Sequence, residues 1–241
     1  MTVTDDDGDT GTTTRQVTVA ATPPPTAEIA ADSFGRSVNN GWGASQTGGA
    51  WTLLGSASRY SVADGTGNLL LATPGTTAES VLRSVAARDV DLRTTLSWSR
   101  SASAGALYAT LVARRQTNGS DYRVKVVTAT SGAMQLVLAR KVGTTETTLR
   151  AVSVPGLTMS ADVAYRVAFR VVTTGGATTL SAKLWRVGTT EPAAWTTTAS
   201  DSTAALQSVG SVGINTYVSS GSASGVTVRV DDLLAVDPDG A

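Results

Sequence analysis

Cysteine and histidine are both absent from the 241 residues. Their absence removes disulfides, thiolate and imidazole metal ligands, serine-histidine triads and cysteine nucleophiles. Neither sign of charge is in excess, with 19 Lys+Arg against 19 Asp+Glu, so nothing recommends nucleic acid as a partner. No apolar run approaches the ~20 residues that would span a membrane as a helix. The opening MTVTDDDGDTG also lacks the basic and apolar stretches of a secretory leader. Glutamate is confined to Glu28, Glu79, Glu146 and Glu191. These fall in a linker, a strand approach and two turns, so no pair shares a strand face as the two carboxylates of a glycosidase must, ~5–10 Å apart. Aromatic residues make up only 5%, which leaves few rings for a ligand platform. An enzyme is not expected.

What is present is period-two patterning. In DVAYRVAFRVV, Val163, Tyr165, Val167, Phe169 and Val171 fall on one face and Arg166 and Arg170 on the other. The same alternation sets Tyr122, Val124 and Val126 against Arg123 and Lys125, and Val226, Val228 and Val230 against Thr227 and Arg229. Each is a strand with one buried and one wetted face. Such runs recur between clusters of Gly, Ser, Thr and Asn, with no competing helical period, so the fold class is all-β, an antiparallel two-sheet β-sandwich.

Three segments are expected. Residues 1–20 read as a hairpin, TVT and TTTRQVTVA joined by DDDGDTG; DDDGD lacks the distal glutamate of a calcium loop and reads as a turn. Residues 21–31, ATPPPTAEIAA, form a stiff proline-rich linker. The main domain covers 32–238. Within it, V-G-T-T-E recurs at 142–146 and 187–191, each time as a turn after a strand, and Asn118-Gly119-Ser120 marks another. The glycine-rich stretch NNGWGASQTGGAWT at 39–52 carries Trp42 and Trp51, whose indoles are expected to cover an open end of the core. Trp185 and Trp195 flank the second V-G-T-T-E turn in the same manner.

The segments DSFGR (32–36), NGWG (40–43), GGAW (48–51), AKLWRVGTTEPAAW (182–195) and VRVDDLLAVDP (228–238) resemble the concanavalin-A-like or laminin-G-like jelly-roll domains that follow PKD-type (polycystic-kidney-disease) repeats in secreted actinobacterial proteins. Residues 1–20 are similar to the last two strands of such a repeat. The resemblance implies a concanavalin-A-like jelly roll, placement in a secreted or cell-surface protein, and one structural calcium where the first strand meets the last. Asp32, Asp231 and Asp232 are the candidate ligands, their hard oxygens suiting that ion. Alternation from Val226, Val228 and Val230 points Asp232 inward and Asp231 outward.

For a carbohydrate, which calls for rings flanked by planar polar groups, the candidates are Trp98, Tyr108 and Arg114. Tyr122, Arg123 and Lys125 superficially suggest a polysaccharide lyase, but alternating basic residues on a strand are ordinarily its solvated face. The resulting expectation is a non-catalytic, lectin-like extracellular module that attaches its parent protein to a polysaccharide or cell-surface glycan. The alternative is a structural or adhesive spacer that contacts neighbouring domains of the parent protein and has no sugar site.

Overall fold

The computed structural model describes residues 2–12, 27–222 and 224–238. Strands β1 (Thr2–Thr4) and β2 (Thr10–Thr12) pair as a hairpin with Thr2 opposite Thr12. The turn closes through Gly8 at φ 90° and the Asp5 carboxylate, which accepts the Asp9 amide at 2.9 Å. DDDGD is therefore a hairpin turn. The rest of the expected second strand, 13–20, and residues 21–26 of the expected linker lie outside the described residues.

The next strands are β3 (Glu28–Asp32), β4 (Val38–Asn39), β5 (Trp51–Leu54), β6 (Tyr60–Ala63), β7 (Thr66–Leu71) and β8 (Thr77–Ala87). They are followed by β9 (Val90–Trp98), β10 (Leu107–Arg115), β11 (Asp121–Thr128), β12 (Ala133–Val142) and β13 (Thr145–Thr158). The chain closes with β14 (Tyr165–Thr174), β15 (Ala177–Arg186), β16 (Thr197–Asp201), β17 (Gly210–Val218) and β18 (Val226–Val236). These strands make two antiparallel sheets. One has seven strands in the order β13-β12-β11-β10-β17-β8-β5. The other runs β16-β15-β14-β9-β18-β7-β6-β4, with β3 as a ninth strand on β18.

One boundary differs from the sequence expectation. Residues 28–31 are not linker but belong to β3, where Ala30, Ala31 and Asp32 pair with Ala235, Leu234 and Leu233 of β18. Ala30 is fully buried. The strand continues the edge of β18 that β7 covers only as far as Val230, and this pairing gives the short EIAAD segment its extended form.

The core lies between the sheets. Tyr165, Val167, Phe169 and Val171 of β14 and Val226, Val228 and Val230 of β18 face Leu107, Ala109 and Leu111 of β10 and Tyr122, Val124 and Val126 of β11, all buried. The period-two reading of these strands therefore holds. So does the first V-G-T-T-E turn: Gly143, at φ 58°, and Thr144 join β12 to β13, with Val142 opposite Thr145. Trp42 and Trp51 close one end of the core as expected. Their rings meet edge-to-face at 5.0 Å, and Trp42 also meets Phe34 at 5.2 Å and Tyr60 at 5.9 Å. At the second V-G-T-T-E turn, Trp185 and Trp195 lie on Lys183, whose Nζ is 5.9 and 5.0 Å from their ring centres.

Candidate functional site

Side chains on the outward face of the seven-stranded sheet line an open cavity of about 420 Å³. The strand registers build it. Tyr108 of β10 stands opposite Tyr217 of β17, and Thr110 stands opposite both Asn215 of β17 and Lys125 of β11. Arg123 of β11, Lys141 of β12, Glu146 of β13 and Thr77 of β8 complete the wall. The two tyrosine rings are 5.4 Å apart and tilted by 50°. Among the described residues neither phenol has a hydrogen-bond partner, so both hydroxyls are available to a ligand.

Beside the rings runs a chain of ion pairs. Glu146 accepts hydrogen bonds from Lys125 and, at 2.9 Å, from Arg123. Arg123 also grips buried Asp121 through two bonds of 2.6 Å. Asp121 is shared with Arg115 at 2.6 Å, and Arg115 reaches Glu79 at 2.6 Å. Asn215 donates to Glu79 at 3.2 Å. Burial disfavours the Glu146 carboxylate, yet Lys125 and Arg123 outweigh it and hold its pKa below the usual range. A carboxyl kept ionised by two cations is unsuited to donating a proton to a leaving group.

The structure places the six residues singled out in the sequence in different surroundings. Tyr108 lies in the cavity. Trp98 is fully buried, its ring 6.2 Å from Tyr165, and cannot stack on a sugar. Arg114 is also fully buried and points away from the cavity. Simple alternation along LYATLVARR puts Tyr108 and Arg114 on one face, but the register shifts between Val112 and Arg115, and Arg114 adopts φ 52°. This bulge turns the guanidinium between the sheets. There it donates to Thr178 Oγ1 and the Leu206 carbonyl at 3.0 Å each, to Thr173 Oγ1 at 2.6 Å and to Asp89 at 3.0 Å.

The three aspartates have separate partners. Both oxygens of Asp32 are occupied: Arg36 bonds them at 2.7 and 2.8 Å, the Trp51 indole N–H donates at 2.7 Å and the Phe34 amide at 2.9 Å. The Arg36 guanidinium thus neutralises the Asp32 carboxylate. Asp232 faces outward and pairs with Arg166 at 2.8 Å, correcting the inward orientation expected from alternation. A second bulge, between Asp231 and Leu234 with Asp232 at φ 49°, reverses the phase. Asp231 accepts the Asp232 amide at 2.7 Å, and its pKa is raised by burial and by the neighbouring Asp232 and Asp32 charges. Among the described residues no cluster of three acidic side chains could hold a metal ion.

Sequence reasoning missed Tyr217, Asn215 and Lys141. The signal for the first two was the alternation of GINTYV, which buries Ile214 and Val218 and leaves Asn215 and Tyr217 on the opposite face. Arg123 and Lys125, read as a solvated face, line the cavity within the ion-pair chain.

No family model matches the chain, and no curated protein matches it. Solved structures resemble it in fold. A β-glucanase from Bacillus licheniformis superimposes with a TM-score of 0.54 at 10% identity, over 86% of this chain and 96% of that one. The carbohydrate recognition domain of Emp46p, in metal-free form, gives 0.53 at 8% identity, over 78% and 88%. Winged bean acidic lectin bound to methyl-α-D-galactose gives 0.50 at 10% identity, over 77% and 91%. The shared feature is the concanavalin-A-like jelly-roll sandwich, a fold that hosts both binding and catalysis.

Proposed function

We propose that the domain is a non-catalytic carbohydrate-binding module of a secreted or cell-surface protein, and that it binds its glycan in the Tyr108–Tyr217 cavity. The observation that carries this reading is the tilted ring pair with free hydroxyls, set on a sheet face among Thr110, Asn215 and three cationic side chains. Rings with flanking polar groups suit the apolar faces and hydroxyl rims of sugars. Ion pairing of Glu146 and Glu79 supports binding over hydrolysis, because neither carboxylate is free to shuttle a proton. Residues 2–12 fit the closing hairpin of a PKD-type repeat, which would make the module one link in a longer parent protein.

The test is retention of the wild-type chain and of Tyr108→Ala and Tyr217→Ala on a broad panel of immobilised polysaccharides. Selective retention, weakened about tenfold or more by either substitution (~1.4 kcal/mol), is the expected result. No retention on any glycan would support the spacer reading instead. That reading draws its own support from the burial of Trp42, Trp51, Trp98 and Trp185, which commits four of the chain's five tryptophans to packing.

A further inference from the structure

We infer that the cavity selects a sugar bearing an anionic group, a carboxylate or a sulfate ester, and that Lys141 is the residue that binds that group. This rests on the carbohydrate-binding reading above and narrows it to a ligand class. The argument is one of unmatched charge. The wall of the cavity carries Arg123, Lys125 and Lys141 against a single anion, Glu146. Glu146 is engaged by Lys125 and Arg123, and the second partner of Arg123 is Asp121, which sits beneath the surface with no exposure.

Lys141 stands directly opposite Glu146 in the β12–β13 register, yet the carboxylate turns to the other two cations. Among the described residues the Lys141 ammonium therefore has no ion-pair partner. It is half-buried in the same wall as the free phenols of Tyr108 and Tyr217. A neutral sugar would satisfy the phenols and the amide of Asn215 while leaving this ammonium unmatched. An anionic substituent gains a charge-assisted hydrogen bond, roughly twice as strong as a neutral one. The chain as a whole carries no net charge, so retention of an acidic polymer would report this local surplus and not a general basicity.

The experiment measures retention of wild type, Lys141→Met and Tyr217→Ala on polygalacturonate and alginate, on dextran sulfate, and on neutral xylan and galactan. Each is run at low salt and at roughly physiological salt, where exposed charge pairs are screened within ~8 Å. Thermal melts confirm that the variants fold. The expected pattern is tight retention of one anionic group of polymers, weakened by salt and at least about tenfold by Lys141→Met, with Tyr217→Ala weakening it too. The uronate and sulfate arms identify which anion is read. Retention of neutral polymers only, or anionic retention unaltered in Lys141→Met, would overturn the inference while leaving carbohydrate binding intact. Failure on every polymer would remove both.

Discussion

Replacing Arg114 separates the contribution of its charge from that of its bulk. The side chain spans the two sheets from β10, bonding Thr173 of β14, Thr178 of β15, the main chain at Leu206 and Arg88, and Asp89. In Arg114→Ala, Thr173 and Thr178 keep the hydrogen bond they make to each other, and Asp89 keeps the Thr173 amide. Asp89, with 23% of its side chain exposed, can also rehydrate. The buried Leu206 carbonyl cannot, at a cost of ~1–3 kcal/mol. The vacated space adds a cavity cost of ~2–3 kcal/mol, so a total near ~4 kcal/mol is expected. For a domain of this size that is a fall in melting temperature of about 10 °C.

Arg114→Met restores most of the volume and removes a charge that burial already disfavours, since burial lowers the Arg114 pKa despite Asp89. Its expected cost is about half as large. Urea unfolding with matched slopes measures both. A loss below about 1 kcal/mol in Arg114→Ala, or equal losses in the two variants, would refute the assignment of this residue as an inter-sheet clasp. Neither variant should alter glycan retention at temperatures where it is folded.

Asp32→Ala strands the Arg36 guanidinium and the Trp51 indole at the end of the core and should cost ~3–5 kcal/mol, measured by urea unfolding; a chelator should leave the wild-type melting temperature unchanged, because Arg36 already neutralises Asp32. Tyr60 and Tyr122 are both pushed up to about 12, chiefly by burial, whereas unfolded tyrosines ionise near ~10. The stability they confer is thus complete below about pH 10 and is lost as pH rises through about 12. Unfolding midpoints should fall across that window, and Tyr60→Phe should shrink the fall by roughly half. At Gly67 a Cβ would lie 2.5 Å from the Phe34 ring, so Gly67→Ala should destabilise by ~2 kcal/mol through overpacking, read from thermal melts alongside Gly35→Ala, whose Cβ would meet nothing nearer than the Ser33 hydroxyl at 3.6 Å.

Strand faces were legible in the sequence wherever alternation ran unbroken, because burial of one face fixes the register of every residue on it. Tyr165 to Val171 and Tyr122 to Val126 are instances. The tryptophan pair near the start was legible too, since glycines on either side leave an indole little choice but to pack. The errors at Arg114 and Asp232 have a single physical cause. Each sits at positive φ in a bulge, where one extra residue reverses the in-out phase of the strand beyond it. Arg and Asp at such positions look like ordinary strand residues. A clue to the first lies far away in sequence, at Gly210, where a Cβ would come within 2.4 Å of the Arg114 backbone. The cavity was half legible: Tyr108 was found and Tyr217 was not, because only the pairing of β10 with β17, some hundred residues apart, sets the rings side by side.

The outermost strands of the two sheets are unequal. β4, β5 and β16 are two, four and five residues long, whereas β13 runs for fourteen. A row of vacant amides and carbonyls of that length invites zippering onto a like strand of another molecule. Within it Pro155 carries no amide donor, and Gly156 beside it turns the backbone to φ 74°. The longest exposed edge of the sandwich is thus a broken template for joining a second copy into one continuous sheet.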